Sequence, residues 1–183
     1  MILQTERLLL REMTQEDFPA LCCILQDEQT MYAYEGAFSD SEAQVWLDRQ
    51  LERYRQLGFG LWAVILKQTG EMIGQCGLTM QPWKGQERLE IGYLFNRSYW
   101  HCGYATEAAR AVLHDAFGRL GLPRVYSFTA AVNLRSERVM RRLGMRNLGG
   151  FDHPALPVGH LLRRHVLYAA ARDTFEGRFS VRP

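Results

Sequence analysis

The sequence is poor in lysine, in long apolar runs and in charge of one sign. Of its 22 basic residues only Lys67 and Lys84 are lysines, and the formal net charge is +2. Without a strong field, neither a direct nucleic-acid partner nor an anionic membrane surface is expected. No apolar run approaches the ~20 residues needed to cross a bilayer. The opening stretch "MILQTERLLLRE" is charged by its sixth residue and lacks the layout of a signal peptide. Four cysteines (Cys22, Cys23, Cys76 and Cys102) form no CxxC pair and no ligand spacing with histidine. Zinc is therefore not expected, and a reduced, cytoplasmic setting is. His101, His114, His153, His160 and His165 are scattered and make no ligand set. Repeats, linkers and low-complexity segments are missing too, and 183 residues suffice for one domain with a proper core.

What is present is a regular alternation of patterns. "RLLLREM" (7–13) reads as a strand. Thr14 to Asp17 and Ser39 to Glu42 are two S/T-x-x-D/E start signals, each followed by apolar residues at helical spacing. "LWAVIL" and "MIGQCGLTM" flank "KQTGE" as a hairpin around Thr69-Gly70, and "ERLEIGYLF" adds a third strand after "PWKG". Ala109, Val112, Leu113, Ala116, Phe117 and Leu120 form one buried helical stripe, stopped by Gly121 and Pro123. "RVYSFTAAV" is a strand, and "NLRSERVMRRLGM" is a short helix bounded by Asn133 and Gly144. A strand from Met145, a loop "GFDHPALPVG" and a last strand "HVLYAAA" complete the order β-α-α-β-β-β-α-β-α-β-β. That order is an α/β (α+β) domain built on one sheet.

The stretch "SYWHCGYATEAARAVL" (98–113) is where this order meets chemistry. A strand ending near Phe95 leads through a loop into a helix starting near Gly103. The first amides of a helix have no intrahelical partner, and the dipole adds partial positive charge there. Gly103 and Ala105 leave that backbone open to a ligand's oxygens, which suits a phosphate or pyrophosphate. The spacing is neither G-x-x-x-x-G-K-S/T nor G-x-G-x-x-G. The alternative is that Gly103 simply eases tight helix–strand packing.

Four stretches together resemble the GNAT N-acetyltransferases, in particular the RimJ/RimL type that acetylates ribosomal-protein N-termini. They are "TERLLLREMTQED", "EIGYLFNRSYWHCGYATEAARAVL", "AAVNLRSERVMRRLGM" and "RRHVLYAAARD", and they span nearly the whole chain. The resemblance implies the GNAT fold, a single central, mixed and mostly antiparallel sheet with splayed central strands flanked by helices. It implies acetyl-CoA as co-substrate and no metal. The pyrophosphate would lie on the backbone of His101, Cys102, Gly103, Tyr104, Ala105 and Thr106. Amides near Tyr93, Leu94 and Phe95 would face the thioester carbonyl and the pantetheine arm, stabilising the oxyanion. Asn133 would contact the CoA arm. This sequence departs from the family pattern at Trp100, where Gln or Arg opens the wider family's loop, and at His101, where a glycine is common. Met140 stands where many members carry a tyrosine acid, and Arg164 where this branch carries an acidic residue.

Individual residues carry two readings each. Glu90 is either a solvated strand residue or the general base that takes a proton from the incoming ammonium. Asn133 caps its helix in either reading. Ser136 either caps as well or protonates the departing CoA thiolate, a fair leaving group with a thiol pKa of about 8.5. Cys102 is favoured as a small loop-filling residue over a nucleophile, since no His–Asp set adjoins it. The arginines at 135, 138, 141, 142 and 146 read as a solvated face. Two functions remain open: an acetyltransferase acting on an amine-bearing protein or small molecule, and a non-catalytic CoA-binding module. A monomer and a homodimer are equally compatible with the sequence.

Overall fold

The computed structural model describes residues 3–83 and 85–179. Its strands are β1 (Leu3–Gln4), β2 (Leu8–Arg11), β3 (Leu61–Leu66), β4 (Met72–Trp83), β5 (Gln86–Phe95), β6 (Arg124–Ala130), β7 (Arg146–Asp152) and β8 (Arg164–Ala171). Its helices are α1 (Phe18–Leu25), α2 (Asp40–Leu57), α3 (Tyr104–Gly118), α4 (Leu134–Arg142) and α5 (Arg172–Phe179). The strands form one mostly antiparallel sheet in the order β1-β2-β3-β4-β5-β6-β8-β7. The α/β order and single sheet expected from the sequence are thus present. Contacts group the chain into two compact units: residues up to Thr79 with Ile91–Val112, and Met80–Glu90 with Leu113 onward.

In the first unit, β2 pairs with β3 (Leu8↔Leu66) and β3 with β4 (Leu61↔Gly77), all antiparallel. The run "LWAVIL" is buried along its whole length, as a strand flanked on both edges and covered on both faces must be. Leu21, Ile24 and Leu25 of α1 and Ala43 and Leu47 of α2 are fully buried. Both start signals work as read. At the first, the Asp17 carboxylate accepts the Thr14 amide at 2.8 Å while the Asp17 amide donates to the Thr14 carbonyl at 3.1 Å. At the second, Ser39 and Glu42 close a reciprocal capping box, each side chain accepting the other's amide. The first of these opens a 3-10 turn (Gln15–Asp17) before α1 begins.

In the second unit β6 pairs antiparallel with β8 from Arg124↔Ala171 to Ala130↔His165. β5 runs parallel to β6, paired at Glu90↔Tyr126. A parallel pair needs a long crossover, and α3 is the helix in that connection. Val125, Met140, Leu143, Tyr168, Ala170 and Phe175 are buried.

Three elements differ from the sequence reading. β1 is only two residues long and shows no periodicity. α5 reads "RDTFEGRF", too polar and too broken by Gly177 to announce itself. β7 continues to Asp152, into the stretch read as a loop. Its Gly149-Gly150 pair looks like a breaker but sits at a register shift between Asn147 and Gly150, which is where a strand carries extra residues.

Candidate active site

The loop before α3 is fixed from several sides. The Asn96 side chain accepts the Ser98 amide at 2.9 Å, and the Trp100 indole donates to the Phe95 carbonyl at 2.8 Å. Tyr99 donates its hydroxyl to Glu71 at 2.8 Å. The chain then passes through two left-handed residues, His101 at φ 65° and Gly103 at φ 82°. Among the described residues, His101 is the only non-glycine in that conformation. A histidine here holds a backbone shape that glycine adopts most easily. A Cβ on Gly103 would lie 3.6 Å from the Arg7 guanidinium, so conformation rather than space demands glycine there.

Arg7 orders this loop from the far end of the sequence. Its Nη1 donates to the Cys102 carbonyl at 3.0 Å, its Nε to Glu107 at 2.7 Å, and its guanidinium lies 4.5 Å from the centre of the Tyr104 ring. Glu107, in the first turn of α3, also accepts from the Arg7 amide at 3.0 Å and the Thr5 hydroxyl at 2.6 Å. Burial pushes the Glu107 carboxyl up, but the hydrogen bonds from Thr5 and Arg7 outweigh it and hold the group below its usual range. The bond to the Cys102 carbonyl has a consequence for the next amide. A trans peptide is planar with its C=O and N–H opposed, so the Gly103 N–H is turned away from Arg7. The first helical bond of α3 runs from the Glu107 amide to the Gly103 carbonyl at 3.1 Å, and the amides of the turn before it are those a helix leaves for other partners. Left-handed residues, oriented amides and a helix start with an arginine beside it fit the phosphates of acetyl-CoA.

In β5, Tyr93 and Leu94 are half-buried and Phe95 is buried, its ring lying where a Cβ on Gly74 would be, 2.5 Å away. Trp100 is half-buried, and Ala105 and Thr106 are half-buried in the first turn of α3. Cys102 is exposed, and its thiol donates to the Trp100 carbonyl at 3.5 Å. All four cysteines are unbridged. Among the described residues no cluster of metal-ligating side chains occurs.

The remaining candidates lie in the second unit. Glu90 is half-buried on β5, opposite Tyr126. Asn133 caps α4: its Oδ1 accepts the Ser136 amide at 3.1 Å, while its Nδ2 donates to the Thr129 hydroxyl at 3.0 Å. The cap therefore uses Ser136 through its backbone. Ser136 is half-buried at the third helical position. Met140 is fully buried and is part of the core. Further along, Glu137 accepts from Tyr168 at 2.6 Å and from Arg141 at 2.7 Å, so Arg141 of the basic cluster is an ion-paired surface residue. Arg164 reaches Asp152 at 3.3 Å.

Sequence reasoning missed Thr5, Arg7 and Glu107 as one device. The signal was present in "TERL" and "YATEA", but its halves lie about a hundred positions apart and only the fold joins them.

A family model described as "Acetyltransferase (GNAT) domain" matches residues 7–146. The Bacillus subtilis protein named "Uncharacterized N-acetyltransferase YnaD" is 32% identical over 174 residues, 94% of this chain and 98% of its own. Another Bacillus subtilis protein, YkkB, is 35% identical over 144 residues, covering 78% and 84%. Among solved structures, a GNAT-family acetyltransferase from Bacillus anthracis superposes with a TM-score of 0.78 at 29% identity, over 94% of this chain and 99% of that one. A ribosomal-protein-S5-alanine acetyltransferase from Vibrio fischeri shares the fold, with a TM-score of 0.74 at 17% identity over 94% and 97%. The chain belongs to the GNAT acetyltransferase family.

Proposed function

We propose that this protein transfers an acetyl group from acetyl-CoA directly to a primary amine, most specifically to the α-amine of a protein N-terminus, in the manner of the RimJ/RimL branch. One observation carries the cofactor side: the left-handed residues His101 and Gly103 at the start of α3, with the Cys102 carbonyl held by Arg7. In this reading His101 to Thr106 cradle the pyrophosphate through backbone amides. Asn133 contacts the CoA arm, and the amides near Tyr93 to Phe95 stabilise negative charge on the thioester oxygen. Acetyl-CoA supplies an acyl group already activated as a thioester.

Glu90 takes a proton from the acceptor ammonium, freeing the lone pair that forms the new N–C bond. Ser136 donates its hydroxyl proton to the sulfur as the C–S bond breaks and takes in its place the second proton shed by the acylated nitrogen. The products are the acetylated amine and CoA, with the first proton left on Glu90. An α-amine, with a pKa near 8, needs less help from Glu90 than a lysine near 10.4. This favours an N-terminal acceptor for a site with one carboxylate base. The setting proposed is cytoplasmic, where acetyl-CoA and reduced thiols coexist. The test is CoA release from acetyl-CoA in the presence of N-terminal peptides and a panel of small amines. Release with peptides supports the reading. Release only with polyamines or aminoglycosides moves the acceptor to small molecules, and binding without release for every amine leaves a CoA-binding module.

A further inference from the structure

Side chains two apart on a strand share a face, and so do residues paired across neighbouring strands. Arg88 and Glu90 on β5 therefore share a face with Tyr126, the partner of Glu90. Tyr126, Phe128 and Ala130 alternate along β6, and Ala130 pairs with His165, which pairs with Phe151. This face carries a run of rings. Phe128 and Phe151 are 5.8 Å apart centre to centre, Phe151 and His165 5.4 Å, and Trp83 and Phe151 4.3 Å. Arg88 lies at the end of this run, 4.4 Å from the centre of the Tyr126 ring and 5.5 Å from that of Trp83.

Three other arginines of this unit lie on carboxylates: Arg141 on Glu137, and Arg163 and Arg164 on Asp152. Arg88 instead lies on rings. A ring over a guanidinium covers a flat face and leaves the donors, which lie in its plane, directed outward. The stacking also fixes the fork in place, so less freedom is lost when a partner binds. A planar carboxylate is the partner such a fork fits.

Position gives this arginine a role. Its Cα stands two residues, about 7 Å, from that of Glu90 on the same strand and face. If Glu90 receives the acceptor's ammonium, a fixed positive charge so close repels any second cation on the acceptor. It attracts an anion carried within one residue's span of the amine. We propose that Arg88 is a specificity-determining residue that reads a carboxylate on the acceptor. The acceptor is then a primary amine with a carboxylate on its own or the next residue, and polycations such as polyamines are disfavoured. This rests on the acetyl-transfer reading with Glu90 as base.

The carboxylate can come from an acidic second residue of a peptide or from the α-carboxyl of a free amino acid, and the test separates them. The probes are two peptides starting Ala-Asp and Ala-Asn and otherwise identical, and the pair alanine and alaninamide. The wild type is expected to favour the carboxylate member of one pair by about tenfold in kcat/KM, and the favoured pair identifies the source. Arg88→Gln brings that ratio towards one. Arg88→Lys, which keeps the charge but loses the fork, leaves an intermediate ratio and guards against a variant that fails to fold. A ratio near one for both pairs in the wild type overturns the proposal, as does a ratio that survives Arg88→Gln. The same ratios are read by calorimetric binding of the probes in the presence of CoA. An enzyme that binds with this preference but releases no CoA retires the acetyl-transfer reading and keeps the role of Arg88.

Discussion

The starts of α3 and α4 meet the same need, the orphan amides of a helix N-terminus, in different ways. At α4 a side chain closes the turn, with Asn133 accepting the Ser136 amide. At α3 the preceding chain is shaped in its backbone, through the left-handed His101 and Gly103 and the carbonyl held by Arg7. Any role of the α3 start is thus carried by N–H groups that side-chain deletion cannot remove. Any chemistry near α4 and on the adjoining strands is carried by side chains, which one substitution deletes. Distorting the backbone at the first place should move acetyl-CoA affinity, and deleting Glu90 or the Ser136 hydroxyl at the second should move turnover.

The largest effect is expected on the side-chain half. Glu90→Gln should lower kcat/KM about a hundredfold, the lower end of what a general base contributes. The loss should be greatest below the acceptor's pKa, near 8 for an α-amine, and should shrink above it. The acetyl-CoA Kd should not move. A small loss, uniform across pH, makes Glu90 a positioning residue.

Gly103→Val is the counterpart in the backbone half. A β-branched residue at φ 82° is strained, and its side chain enters the path proposed for the pyrophosphate. Acetyl-CoA should bind more than tenfold more weakly, or about 1.4 kcal/mol, by calorimetry. Unchanged affinity removes the phosphate role of this loop.

A pair of variants at α4 then separates capping from chemistry. Asn133→Ala deletes the acceptor of the cap and should cost about 1 kcal/mol of stability, seen as a lower Tm. Ser136→Ala keeps the amide that the cap uses. It should lower kcat a few-fold at nearly unchanged Tm and acetyl-CoA Kd. A stability loss in Ser136→Ala with kcat intact retires Ser136 as the acid and leaves water as the proton donor.

Glu107→Gln probes the brace behind the α3 loop. The partly exposed ion pair with Arg7 is worth little in affinity, so acetyl-CoA should weaken only about threefold. The clearer signal is in pH. The carboxyl is lower in the folded protein than its ordinary 4.5. Its contribution to stability is therefore complete above that value and is lost as pH falls through the folded pKa. The variant's Tm should fall less steeply than the wild type's below pH 4.5, and identical slopes would show that the carboxylate is not held as described.

Elements and caps were largely legible in the sequence because they are local. Thr14 to Asp17, Ser39 to Glu42 and Asn133 each act within one turn. The family was legible because its motifs are contiguous, in "EIGYLF" and "HCGYATEA". What was hidden depends on distant pairing. The contacts of Thr5 and Arg7 with Glu107 span about a hundred residues, and the shared face of Arg88, Tyr126 and Phe151 follows only from the register of four strands. β7 was hidden for another reason: Gly149 and Gly150 read as a break until a partner strand accommodates them.

The smallest effect tests how far the loop's shape depends on its residues. His101 holds φ 65° without being glycine. A side chain in this region costs roughly 1–2 kcal/mol, though histidine tolerates it better than most residues. His101→Gly relieves that strain but enlarges the freedom of the unfolded chain, which takes back about 0.4–1 kcal/mol. The two nearly cancel, leaving a gain of a few tenths of a kcal/mol, measured as a slightly higher denaturation midpoint at the same m-value. Because the amides keep their directions, acetyl-CoA affinity should hold within about twofold. If His101→Gly instead weakens acetyl-CoA markedly, the exposed imidazole itself contacts the cofactor. The α3 start would then resemble the α4 start, working through a side chain after all.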